Sequence, residues 1–147
     1  EPNDLLISNG LATMGFAVPA AVAAALEDPV RGAIAFTGDG GFMMCASELA
    51  LAAQTNANIV VIVFNDGTLS LIDIKQKSRN LSRRGTTWPR PDFAKVAEGL
   101  GCQSWRVDNV VDYKVALNKA FKAKGPALID VVVDPQGYGE QLTSLRG

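Results

Sequence analysis

The chain has 147 residues, 48% hydrophobic and 20% charged, with a formal net charge of -1. That is enough for one well-filled core and too little for two ordinary domains, so a single domain over residues 1–147 is expected. The apolar run Ile59 to Phe64 is far below bilayer length, and the N-terminus lacks the basic-then-apolar layout of a secretion signal, which argues against a membrane span and for a cytoplasmic location.

With no histidine in the chain, the side chain most used for proton transfer near neutral pH is missing, and acid–base chemistry has to come from other groups. Cys45 and Cys102 are far apart in sequence and have no histidine beside them, so neither a zinc site nor a disulfide framework is expected; they read as buried apolar residues of an intracellular protein. Acids dominate the first half, whereas Lys75, Lys77, Arg79, Arg83, Arg84 and Arg90 crowd the segment after Leu71. Trp88 is the one aromatic residue among those charges, too little for interleaved stacking, so a solvated helix end and loop is favoured over a nucleic-acid patch.

In chain order, Leu5 to Ser8 predicts a short strand and Gly15 to Glu27 an alanine-rich helix, with Pro19 tolerated near its first turn. Ala33 to Thr37 predicts a strand. Ala46 to Gln54 predicts a helix, in which Ala46, Leu49, Ala50 and Ala53 form the apolar stripe. Asn58 to Phe64 is apolar on both faces, as in the middle of a parallel sheet covered by helices. A helix over Leu69 to Lys77 leads into a basic, proline-containing loop, Ser78 to Pro91. Asp92 is the expected N-cap of a helix that runs to Leu100 and stops at Gly101. A strand over Gln103 to Val107 follows, then a helix with Tyr113, Ala116, Leu117, Ala120 and Phe121 on one face, and a last strand, Ala127 to Val133. The alternation predicts an α/β fold: a three-layer, doubly wound, mainly parallel sheet of five to six strands with helices on both faces.

In such sheets ligands bind at the carboxyl ends of strands, at a topological switch point, and two acidic residues fall at predicted carboxyl ends. Gly38 permits a sharp turn after one strand, Asp39 projects from its tip, and Gly40-Gly41 leaves backbone N–H groups bare where a helix begins, an arrangement that attracts phosphate. A carboxylate beside phosphate makes electrostatic sense when a hard cation such as Mg²⁺ joins them, with Asp66 as a second ligand and a carbonyl of the Gly67-Thr68 turn as a third. Neither a dinucleotide fingerprint nor a P-loop is present. A Gly-Asp-Gly turn by itself is common without any ligand; its spacing from Asn65-Asp66 is what makes the pair specific.

The stretch "GDGGFMMCASELALAAQTNANIVVIVFND" resembles the thiamine-diphosphate motif, in which Gly-Asp-Gly precedes an asparagine pair. "SNGLATMGFAVPAAVAAAL" and "GPALIDVVVD" resemble the flanking segments of acetolactate synthases and related 2-oxoacid enzymes, covering nearly the whole chain but only the C-terminal, diphosphate-binding domain of those enzymes. The resemblance implies Asp39, Asp66 and the Thr68 carbonyl as Mg²⁺ ligands, with the diphosphate held at Gly38, Gly40 and Gly41. It implies that Ala12 and Met14 face the aminopyrimidine, with the Met14 side chain as a wedge under the cofactor, and that Leu71 packs against it.

The same resemblance implies a 2-oxo acid substrate and a homo-oligomer. It also implies a partner pyrimidine-binding domain carrying the activating glutamate, to which nothing here can be matched; FAD would belong only to a missing domain. No catalytic residue is therefore assigned, and the chain by itself is expected to have no turnover. Starting at Glu1 and entering structure within a few positions, it reads as an excised domain or a processed product, expected to be a fragment of a longer enzyme.

Two positions depart from the pattern. Asp66 replaces the second asparagine, as in catabolic acetolactate synthases, and "LSLIDIKQ" lacks the tryptophan of biosynthetic ones. Read without the resemblance, Met14 is core filling, Glu48 meets a helix dipole, Trp105 is a packing residue, and Asp73 is solvated. Trp88 is a packing residue or a cover over a site entrance from the basic loop. The competing functions are another 2-oxoacid decarboxylase or ligase, a small subunit of one, or a non-catalytic nucleotide- or CoA-binding module.

Overall fold

A computed structural model describes residues 4–146. Its sheet has four strands, β1 (Ala33–Gly38), β2 (Ile59–Asn65), β3 (Gln103–Val107) and β4 (Ala127–Val132), in the order β1-β2-β4-β3. All three pairings are parallel. The helices are α1 (Ala17–Glu27), α2 (Asp39–Met43), α3 (Glu48–Gln54), α4 (Ser70–Ser78), α5 (Phe93–Gly99), α6 (Val110–Ala120) and α7 (Tyr138–Arg146).

Parallel strands need crossovers, and right-handed crossovers place the helix on one face when the chain advances and on the other when it returns. Going from β1 to β2 and on to β3, the chain lays α3 and α5 on the same face as α1. There Val18, Val22, Leu49, Phe93 and Ala97 pack on Ala35, Val61 and Val63. Returning from β3 to β4 puts α6 on the opposite face, where Ala116 and Ala120 cover Val60, Ile62, Ala127 and Ile129. The α/β class with helices on both faces holds, and Val60 to Val63 of β2 are buried on both.

The number of strands is smaller than expected. Leu5, Leu6 and Ile7 are 77%, 68% and 60% exposed, and no strand forms there, because a run this short needs a neighbouring strand and none lies beside it. Helix α6 lies mainly over β3 and β4 and reaches β2 at Val60 and Ile62, while Phe36 and Phe64 stack on each other, with ring centroids 6.4 Å apart, on the exposed part of that face.

The predicted Ala46 stripe is rotated. A turn at Met44–Ser47 separates α2 from α3, and the buried line runs through Cys45, Leu49 and Ala52, while Ala50 is exposed. On α6 the predicted stripe holds except at Phe121, which is 55% exposed. Asp92 caps α5 as expected, accepting from the Lys95 N–H at 3.1 Å, and Gly101 takes the left-handed φ of +89° that a helix stop requires. Both cysteines are free and buried. Among the described residues no helix is long and apolar enough to cross a membrane.

Candidate functional site: two acidic strand tips and a glycine corner

Asp39 follows β1 directly as the first residue of α2, and Asp66 follows the adjacent β2. Both are buried, at 4% and 8% exposure. Both carboxylates are hydrogen-bonded, and the Gly40 N–H, read from sequence as bare, is one of the donors. Asp39 accepts from the Gly40 N–H at 2.7 Å and from the Gly67 N–H at 2.8 Å; Asp66 accepts from the Thr68 N–H at 2.7 Å and the Ser70 hydroxyl at 2.6 Å. The Gly67 bond ties the end of one strand to the turn after the other. Burial pushes the Asp39 carboxyl up, and the Asp66 charge adds to the push, against the Gly67 and Gly40 N–H groups.

This donor set fits a hard cation. Each carboxylate oxygen takes one hydrogen bond and keeps lone-pair capacity, and an all-oxygen set suits Mg²⁺ better than a soft metal. Among the described residues no third acidic, histidine or cysteine side chain joins the pair, so a cation here would complete its shell from carbonyls, phosphate or water.

The other sequence-predicted residues fall around this pair. Thr68 is buried beside Asp66. Gly67 has φ +74°, and a Cβ there would meet Arg90 Cγ at 2.8 Å and the Trp88 carbonyl oxygen at 3.2 Å. A Cβ on Gly40 would meet Leu69 Cδ2 at 2.7 Å, Met14 Cε at 3.0 Å and Trp88 Cη2 at 3.6 Å, so Met14 does reach the glycine corner. Gly41 is closed on by Thr37 Oγ1, 2.8 Å from the position of its missing Cβ. Gly38 is exposed with open space around it. Ala12 is exposed with φ +49°, an uncommon backbone for a residue with a Cβ. Leu71, on α4, is 44% exposed.

Several site residues escaped the sequence reading. Asp73, expected to be solvated, is 4% exposed, ion-paired with Lys77 and Arg83 and hydrogen-bonded by Thr86. The i,i+4 spacing of Asp73 and Lys77 on α4 was the available signal. Arg90 donates to the carbonyls of Asp66 at 3.2 Å and Val133 at 3.0 Å. Lys77, Arg83 and Arg90 of the basic segment are thus engaged within the chain. Ser70 gave no sequence signal beyond its place four residues after Asp66. Tyr138 opens α7, past the last predicted element; burial first, then the Asp66 and Asp39 charges, raise its phenol pKa, which puts it within electrostatic reach of the pair.

Comparison with known proteins agrees with this geometry. Residues 1–131 match the family described as thiamine pyrophosphate enzyme, C-terminal TPP binding domain. An acetolactate synthase of Bacillus subtilis is 37% identical over 134 residues, covering 91% of this chain and 24% of that protein. Acetolactate synthase isozyme 1 large subunit of Escherichia coli is 34% identical over 140 residues, covering 92% and 25%. The solved thiamine diphosphate-dependent 4-hydroxybenzoylformate decarboxylase of Rhodococcus jostii superposes with a TM-score of 0.77 at 34% identity, over 82% of this chain and 23% of that one. The chain spans about a quarter of the length of these relatives. A parallel sheet that sets two carboxylates and a glycine corner at neighbouring strand ends, matched over most of its length by one family, makes the chain a member of the C-terminal TPP-binding domain family of thiamine pyrophosphate enzymes.

Proposed function

We propose that this domain holds thiamine diphosphate through Mg²⁺ in an acetolactate synthase-like enzyme that decarboxylates a 2-oxo acid and transfers the resulting acyl unit. The observation that carries the reading is the pair Asp39 and Asp66, buried at adjacent strand tips, with the N–H of Gly67, next to Asp66, donating to Asp39. When bound, the cofactor supplies a carbon nucleophile and an electron sink for cleavage next to a carbonyl.

The residues of the chain supply position and charge. Asp39, Asp66 and the Thr68 carbonyl would hold the cation, and Gly40 and Gly41 would offer N–H groups to the diphosphate. In the chain by itself the Gly40 N–H donates to Asp39; a cation on Asp39 would compete for that carboxylate and free the donor. Met14, already at the glycine corner, would support the organic part of the cofactor, with Ala12 and Leu71 at its margins. The activating glutamate, the 2-oxo acid pocket and any oligomer contacts would come from the rest of the longer protein.

Calorimetric titration of the chain with thiamine diphosphate tests this. Binding is expected only with Mg²⁺ present, and Asp39→Ala is expected to weaken it by more than the roughly 10- to 100-fold that follows loss of a group merely supporting a ligand. Metal-independent binding of a nucleotide or CoA, unaffected by Asp39→Ala, would favour the non-catalytic module instead.

A further inference from the structure

The segment Ser78 to Pro91, read from sequence as a solvated basic loop, is tied along its second half to the turn that carries Asp66 and Thr68. The Leu69 N–H donates to the Thr86 carbonyl at 2.7 Å and the Trp88 N–H to the Gly67 carbonyl at 3.1 Å. Thr68 and Thr87 form an isolated antiparallel bridge, and on α4 the Asp73 carboxylate receives Arg83 and Thr86 from the same segment. These bonds fix where Trp88 lies.

Its ring edge, Cη2, is 3.6 Å from the Cβ position of Gly40, beside Leu69 Cδ2 and Met14 Cε. The glycine corner is therefore roofed by three apolar side chains, one from each of three separate stretches of chain. The indole Nε1–H is buried and has no acceptor, although a buried donor ordinarily finds one because an unmet hydrogen bond costs about 1–3 kcal/mol. The aromatic ring thus stands where a ligand on the Gly40–Gly41 corner would touch it, with an unsatisfied polar group.

Resting on the proposed cofactor reading, we propose that Trp88 is a cofactor-contacting residue of this site, whose indole, with Leu69, walls the diphosphate end of the bound cofactor. The physical effect is exclusion of water from the side of the corner facing the loop. Charge–charge attraction between cation, carboxylates and diphosphate is stronger where the surroundings are less polar, and the wall supplies that without adding a charge. Because its backbone is bonded to the turn after β2, the ring is positioned before the cofactor arrives.

The chain has two tryptophans, Trp88 and Trp105. Trp105 packs against the α6 side of the sheet, away from the corner. In a Trp105→Phe background, Trp88 emission is recorded while thiamine diphosphate is titrated with Mg²⁺, alongside the calorimetric curve. The emission is expected to change along the same curve as the heat, and to stay constant when Mg²⁺ or the cofactor is added singly. Trp88→Ala is expected to weaken binding roughly 2- to 10-fold, the equivalent of one aromatic contact, and Trp88→Phe to restore most of it. Saturating heat with a silent indole and unchanged affinity in Trp88→Ala overturns the assignment of Trp88 while leaving the cofactor reading standing. Absence of any Mg²⁺-dependent heat overturns both.

Discussion

Asp73 shows how one residue changes meaning between sequence and structure. On α4 it is a short polar side chain among exposed neighbours, yet it is buried and meets Lys77 at 2.9 Å and also Arg83. The Lys77 hydrogen bond, with Arg83 adding, holds the carboxyl below the usual carboxylate range, against burial. A carboxyl whose pKa is depressed in the folded chain contributes stability above its unfolded pKa, and the contribution is lost as pH falls through the folded value. Asp73→Asn is accordingly expected to lower stability at neutral pH by about 1 kcal/mol, a modest figure because both cationic partners are largely exposed. The gap between variant and parent should close in acid, below about pH 4, the usual aspartate value. Chemical denaturation at a series of pH values measures it; a gap independent of pH would mean that charge is not what Asp73 contributes.

At the scale of elements, strands β2, β3 and β4 are laced together by another buried carboxylate. Asp130, on β4 and fully buried, accepts from the Asn65 side-chain amide at 2.9 Å, from the Phe93 N–H at 3.1 Å where α5 starts, and pairs with Arg106 of β3 at 3.2 Å. One side chain thereby joins β2, β3, β4 and a helix start, next to the turn that bears Asp66. Burial pushes its carboxyl up, with the Asn65 amide and Arg106 pulling the other way. Removing it strips the buried counter-charge from Arg106 and the side-chain acceptor from the Phe93 N–H, while Arg106 and the Asn65 amide keep the Pro91 carbonyl. Asp130→Ala is expected to cost about 3 kcal/mol, at the low end for a broken buried pair since the Arg106 side chain is 33% exposed. Thermal unfolding measures the loss; a change below about 1 kcal/mol, the worth of a typical surface pair, would show that the network does not hold the strands.

At the scale of the molecule, the chain matches one domain of relatives about four times its length. The described residues supply carboxylates, glycine N–H groups and an apolar roof, and the chain covers 24% of an acetolactate synthase relative. The purified chain is expected to show no steady pyruvate decarboxylation with cofactor and Mg²⁺ added, because no residue of the chain matches the activating glutamate that the proposed reaction needs. Sustained carbon dioxide release in a coupled assay would overturn that expectation.

Periodicity and turn residues by themselves determined the four paired strands, the helices between them and both acidic tips, because each rests on local information: apolar spacing, glycine where φ is positive, a carboxylate at a strand end. The helix stripe through Ala46 was misread because helix phase depends on where the preceding turn breaks, which side-chain spacing within the helix does not record. Leu5 to Ser8 was misread as a strand because strand formation requires a neighbour. Only the tertiary structure could decide that Gly67 donates to Asp39, that Asp73 is buried, and that Trp88 overhangs Gly40. Each of these joins residues that the chain brings together by crossing from one strand end to the next, and the energy of such contacts depends on distance in space, to which the order of residues along the chain gives no direct access.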